Sequence, residues 1–147
     1  MPLDNILGFM RHDHDELDKY FKKFQSLKRQ DFATAKWFFL TFKFSLLRHI
    51  LWADKILFPV FENKTGMKNR GPTIVMRHNH ALIKGALERL HQKVCRDEPD
   101  SNSEEEVLMD LLAMHSQKEE YALYPVIDQL MTQEERKSMF QQIQMRS

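Results

Sequence analysis

His49-Ile-Leu-Trp-Ala-Asp-Lys-Ile-Leu-Phe-Pro59 places a histidine, an acid and a proline inside an intensely apolar run. The pattern returns as His115-Ser-Gln-Lys-Glu-Glu-Tyr-Ala-Leu-Tyr-Pro125, offset by 66 residues. The histidine, the acid at 54 or 120, the leucine at 57 or 123, the aromatic at 58 or 124 and the proline are all in register. Two copies of one segment rich in metal-ligand side chains point to a single site built between them.

The register extends outward. Met10-Arg-His-Asp-His14 and Met76-Arg-His-Asn-His80 share the 66-residue offset and differ only at Asp13 and Asn79. Helical periodicity predicts a first helix over about residues 4–28, with Asp4 as its cap, and a second from Asp31 to about Lys64, stopped by Thr65-Gly66. After the loop 66–72, Thr73 is expected to cap a third helix reaching about Val94. Ser103 and Glu106 form a capping box for a fourth, running to about Leu130. Thr132 and Glu135 form another, for a tail helix over about residues 132–145 whose Met139, Phe140 and Ile143 should dock on the rest. The offset joins helix pair 4–64 to helix pair 73–130. The expected architecture is all-α: one domain over 1–147, an up-down-up-down four-helix bundle built from an internal repeat of helix hairpins, plus the tail helix.

Composition agrees with helices and narrows the function. The chain has 147 residues, enough for one sizeable core, with 11 phenylalanines against four glycines and five prolines. Lys+Arg 22 against Asp+Glu 21 gives a formal charge of +1, and no basic face is visible that would follow a phosphate backbone, so nucleic acid is not an expected partner. The window from Trp37 to Trp52 is too short and too polar to span a bilayer, and the start lacks the pattern of a signal peptide. A soluble, cytoplasmic protein is expected. The lone Cys95 excludes an internal disulfide and a cysteine-built metal cage, and reads as a small core residue. Trp37, Phe38, Phe39, Phe42 and Phe44 cover more than one face of the second helix; burial between neighbours is the expected reason, with self-association as the alternative.

On a helix, residues four apart stand about 40° from each other and one turn up the same face. His115 and Glu119 meet that condition and could hold one ion, or the carboxylate could bridge to a second. Imidazole and carboxylate without thiolate suit iron, zinc or manganese. His14, His49 and His80 supply one histidine from each of the other helices. His12 and His78 are two residues from these, about 160° round the helix, and should point elsewhere; His91 is about 16 Å along the axis from His80 and too far for the same centre. Asp18 shares a face with His14 and reads as an acceptor for a ring nitrogen, while Asp13, Asp15 and Glu120 read as solvent-facing or supporting acids. Tyr20, Tyr121 and Tyr124 read as packing residues with a polar tip. Pro59 and Pro125 should bend their helices beyond the ligands.

With these residues in place, the sequence resembles the hemerythrin-like, HHE cation-binding family over nearly its whole length. The family pattern is one histidine on the first helix, a histidine and an acid four residues on in the second, one histidine on the third, and a second such pair on the fourth, each pair followed by Leu-Phe-Pro or Leu-Tyr-Pro. His14, His49, His80, His115 and Glu119 match it, as do Leu57-Phe58-Pro59 and Leu123-Tyr124-Pro125. The resemblance implies two non-haem iron ions bridged by carboxylates, with zinc or manganese as lesser alternatives.

One departure falls in the opening stretch: Ala53 stands where the family carries its bridging acid, and the nearest carboxylate is Asp54. On a regular helix Asp54 lies about 140° from His49, but a π-bulge makes residues five apart neighbours. Asp54 is therefore expected to be a metal ligand, much as hemerythrins use an aspartate five residues beyond a histidine in their last helix. The expected function is a carrier or sensor of dioxygen or a related small diatomic rather than an enzyme. Iron handling or a stress response (iron-centre repair, peroxide or nitric oxide handling, iron sensing) is the first alternative, and a metal-independent helical interaction module the second. A protein partner is not identified by the sequence, and a homo-oligomer is compatible with it.

Overall fold

The structure is a computed structural model, and residues 5–145 of the chain are described. Among them the regular structure is entirely helical: α1 (Ile6–Leu27), α2 (Phe32–Trp52), α3 (Phe58–Thr65), α4 (Pro72–Cys95), α5 (Asn102–Lys118), α6 (Tyr124–Leu130) and α7 (Gln133–Met145). Together they make a helical bundle in which α1 packs on α2, α4 on α5, α2 on α4, and α1 on α6. No helix is long and apolar enough to cross a membrane, among the described residues.

Local chemistry accounts for most helix ends. The expected cap Asp4 lies outside the described residues; the Asn5 side chain accepts from the Gly8 N–H instead. Asp31 caps α2 by accepting from the Thr34 N–H and hydroxyl. Gly66, at φ 76°, closes α3 with its N–H on the Glu62 carbonyl. The Thr132 and Glu135 box closes in both directions. Two caps differ from expectation. Gly71 at φ 91° precedes α4, and Thr73, the second residue of the helix, is buried and donates to the Glu62 carboxylate. Ser101 precedes α5 and pairs with Glu105, because Glu105 is drawn inward by the buried Lys28.

The long second and fourth helices are each interrupted by a π turn, at Ala53–Leu57 and Glu119–Leu123. Proline explains both. Pro59 and Pro125 have no N–H to give to the carbonyl four residues back, and their rings crowd it, so the preceding turn widens. The N–H of Phe58 then reaches the Ala53 carbonyl, and that of Tyr124 reaches the Glu119 carbonyl, each five residues back. The sequence motivates the first π turn; the second is new.

Two apolar clusters fill the bundle. One gathers Ile6, Met10, Trp52, Leu57, Phe58, Met76 and Tyr124 with Met139 and Ile143 of α7, and the other gathers Leu17, Phe21, Phe24, Phe39, Phe42, Ile83, Leu87 and Leu108. Between them runs a polar layer. His14 lies between Met10 and Leu17 on the buried stripe of α1, and His80 between Met76 and Ile83 on that of α4. Cys95 is exposed at the end of α4, not in the core. Phe39 and Phe42 are buried, but Trp37 and Phe44 lie on the outside of α2.

Candidate metal centre

Each of the four histidines occupies a slot that helical periodicity would otherwise give to an apolar core residue, so their rings turn inward and meet. His14, His49 and Glu119 bring three candidate ligand atoms within 4.8 Å of one another; His80, His115 and Glu119 do the same. Glu119 belongs to both groups. Its side chain is fully buried, with Oε1 3.0 Å from His115 Nε2 and Oε2 3.7 Å from His80 Nε2. Neither contact has hydrogen-bond geometry, and both carboxylate oxygens are buried without a hydrogen-bond partner. His80 Nε2 and His115 Nε2 approach to 2.8 Å, and the rings of His14 and His49 lie 4.3 Å apart.

Outer acids set the histidine tautomers. Asp13 Oδ2 lies 2.6 Å from His49 Nδ1, and Asp54 Oδ1 lies 2.8 Å from His80 Nδ1. A carboxylate can only accept, so each Nδ1 carries the proton and each neutral ring presents its Nε2 lone pair to the interior. That of His49 is buried and unpartnered. Glu120 Oε1 stands 3.9 Å from His14 Nδ1, and the Ser116 hydroxyl is 3.4 Å from His14 Nε2.

The outer acids are themselves held by arginines. Arg11 Nε is 3.1 Å from Glu120, and Arg77 Nη1 is 3.7 Å from Asp54 while its other nitrogens bond Glu62. Arg11, His14 and Glu120 on one side thus meet as Arg77, His80 and Asp54 do on the other, at the sequence offset that separates Arg11 from Arg77. Asp54, expected as a ligand through the widened turn, is turned by that turn toward His80 Nδ1 and belongs to neither three-residue group. Asp18 is exposed, and the outer acid that faces His14 Nδ1 is Glu120. Asp13 and Glu120 act as supporting acids, one of the two readings the sequence offered, whereas Arg11 and Arg77 had no signal beyond the repeated Met-Arg-His motif and Ser116 had none. His12 and His78 are exposed, and His91 is engaged with Lys43 at 2.7 Å and with the Phe39 ring.

Electrostatics follow the same geometry. Burial would raise the Glu119 carboxyl, but the imidazoles of His115 and His80 hold it far below the ordinary carboxylate range. Burial pushes His49 down, with His14 beside it adding to the effect against the pull of Asp13. Burial also opposes the charged form of His80, yet Asp54 and Glu119 raise it above its ordinary value. Burial, then Glu119, push the Tyr124 hydroxyl well up, so it stays protonated.

The donor set fits a pair of cations: two imidazoles and a shared carboxylate for each, with buried lone pairs that nothing in the protein satisfies. A cleft of about 340 Å³ reaches His14 from outside, walled by Leu17, Phe42, Met109 and Leu112 and edged by Asp15, Asp18, Ser116 and Glu120. The family model described as the hemerythrin HHE cation binding domain matches residues 5–127, a span holding every residue of both groups. No curated protein and no solved structure matches the chain. The chain belongs to the hemerythrin HHE cation-binding family.

Proposed function

We propose that this chain is a non-haem di-iron protein that takes dioxygen or a related small diatomic, as a carrier or sensor rather than as an enzyme. The observation that carries the reading is the sharing of buried Glu119 between two pairs of histidines, with both of its oxygens unpartnered. His14, His49, His80, His115 and Glu119 would hold the ions, and Asp54 would act through His80 rather than on a metal. Iron, when bound, supplies open coordination positions and a change of oxidation state to a small ligand. The protein's own part is to exclude bulk water with its two apolar clusters, fix the ring tautomers through Asp13 and Asp54, and admit a small molecule along the cleft beside His14. That cleft converges no set of buried polar groups able to grip a larger organic substrate.

The same reading includes a duplicated architecture. Two helix hairpins, 4–64 and 73–130, would face each other up-down-up-down within one domain over 1–147, with the tail helix as a brace. The matching Arg–acid–His contacts at one offset support it. A reducing, cytoplasmic setting is part of the proposal, in line with the unpaired Cys95.

Anaerobic loading with ferrous iron should yield two ions per chain, and air should then develop a visible absorption band. A colourless protein with one ion or none would overturn the reading. A second reading, iron handling, is favoured by Ala53 at the place of the usual bridging acid and by the cleft at His14, which together would make one ion labile. Release to a chelator separates the two, since a carrier keeps both ions through repeated oxygenation.

A further inference from the structure

α2 is apolar on two sides. At about 100° per residue, Ala35, Phe39, Phe42, Leu46 and His49 face the bundle interior, while Ala33, Trp37, Leu40, Phe44, Leu47 and Leu51 form a second stripe about 160° away. The members of that outer stripe follow one another by alternating steps of four and three, the spacing by which one helix meshes with another. The stripe is open: Trp37 is 60% exposed, Leu40 44% and Phe44 64%, Ala33 is exposed as well, and Leu47 and Leu51 are half-buried. A helix that is apolar all round is ordinarily packed on both sides, and among the described residues only one side of α2 is packed. The polar groups along the stripe are already occupied within the chain. Lys43 Nζ is 3.0 Å from Glu88, Lys36 Nζ is 2.5 Å from Asp97, Arg48 lies between the Phe44 ring and Asp13, and the Thr41 hydroxyl donates to the Trp37 carbonyl.

We propose that this stripe is the seam of a homodimer, in which α2 packs antiparallel on α2 of a second copy across a twofold axis level with Phe42. The register of the stripe points to that occupant. Its positions are symmetric about 42, so an antiparallel copy sets Trp37 against Leu47, Phe44 against Leu40 and Ala33 against Leu51. Every layer then joins a larger side chain to a smaller one, which lets the two helices interdigitate. A parallel pairing would instead stack Trp37 on Trp37 and Phe44 on Phe44, and would bring Lys43 beside Arg48. In the antiparallel pair the closest like charges are the two Lys43 ammoniums, each already paired with its own Glu88. Area agrees with a reversible dimer. At about 200–250 Å² per aromatic side chain, the exposed fractions of Trp37 and Phe44 leave roughly 250 Å² of apolar surface per copy. Four rings thus bring about 500 Å² to the seam, close to a third of the about 1,600 Å² of a standard interface, and the leucines and the lysine stems add to it. The inference goes beyond the metal centre and does not depend on it.

Sedimentation of the whole protein from about 1 to 300 μM tests the dimer. The weight-average mass should climb from 17.6 kDa towards twice that value. Trp37→Glu, Leu40→Glu and Phe44→Lys should each weaken dimerisation about 100-fold or more, since each substitution enters the seam twice. Their helical content should match the parent's, because these side chains point away from the core; a variant that loses helix is set aside and the other two are read. Mixing Leu40→Glu with Phe44→Lys in equal amounts should restore dimers. The antiparallel register places the introduced carboxylate against the introduced ammonium and keeps one native layer of Leu40 on Phe44. A parent that stays at 17.6 kDa to the highest concentration overturns the proposal. Binding of that parent, but not of the variants, to lipid vesicles would then assign the stripe to a membrane surface. Dimers that survive all three substitutions place the interface elsewhere and overturn it too. Dimers lost in each variant and not restored by mixing overturn the antiparallel register.

Discussion

Asp54→Ala separates a ligand from an acid that acts through a ligand. Asp54 Oδ1 is 2.8 Å from Nδ1 of His80, a ring that is almost wholly buried, and 3.7 Å from Arg77 Nη1. Removing the carboxylate leaves His80 free to rotate and to take the wrong tautomer, and lowers its basicity. The loss of such a partner weakens cation binding about 10- to 100-fold, equivalent to about 1.4–2.7 kcal/mol. The loss should be confined to the position formed by His80, His115 and Glu119. Glu119→Ala, by contrast, removes an oxygen donor from both positions. Titrating metal-free protein with zinc against a chelating indicator, and counting ions after desalting, distinguishes them. Asp54→Ala should keep one ion as tightly as the parent and hold the second more weakly, while Glu119→Ala keeps neither. If Asp54→Ala empties both positions as Glu119→Ala does, Asp54 is itself a bridging ligand and its role through His80 is refuted. Full retention of both ions refutes that role from the other side.

The same pair gives a pH prediction in the metal-free protein. Asp54 and Glu119 raise His80 above its unfolded value of about 6.5 despite burial, so its stabilising contribution is complete below that value and is lost as pH rises through the folded pKa. The stability difference between the parent and Asp54→Asn, from urea unfolding, should therefore be larger at pH 6 than at pH 9; a difference that grows with pH contradicts the assignment. At the far end of the bundle, Lys28 Nζ contacts Glu105 Oε2 at 2.5 Å, both side chains being buried. Glu105→Ala strands that ammonium and should cost about 3–5 kcal/mol in urea unfolding. Lys28 lies about 20 Å along α1 from His14, so the folded variant should load metal as the parent does. A loss below about 1 kcal/mol would mean that the pair is solvated rather than buried.

The helical fold and the four inward histidines were legible because both depend on periodicity. A histidine at 14, between Met10 and Leu17, can only face the core if the helix is regular there, and α1 is. Asp31, Gly66 and the Thr132–Glu135 box end their helices through contacts within four residues, which a sequence displays directly. The Ser103–Glu106 box did not survive because Glu105 answers to Lys28, 77 residues away, and no local rule sees that pull. Asp54 was harder for a related reason. Its π turn was readable from the five-residue spacing of His49 and Asp54, but the direction in which the turn aims the carboxylate depends on where α4 brings His80 and Arg77.

The register of the repeat carries the resolution of Ala53. The acid at 54 aligns with Glu120, not with Glu119, and Asp54 and Glu120 do indeed take equivalent places, each between an arginine and the Nδ1 of a histidine. The position that would align with Glu119 is Ala53, fully buried and without charge. A second glutamate there would face the first across the histidine layer, and two buried carboxylates without a cation repel strongly. With alanine, the metal-free protein carries one inner carboxylate, which the neighbouring His115 and His80 rings hold in its ionised form. Three further carboxylates, Asp13, Asp54 and Glu120, stand one layer out against ring nitrogens. The four together would match the charge of the two divalent ions proposed, yet only Glu119 is fully buried and would have to be sustained without them. Under the di-iron proposal such a centre would lose and regain a cation without unfolding, because the bulk of its negative charge rests on acids already paired with Arg11, Arg48 and Arg77.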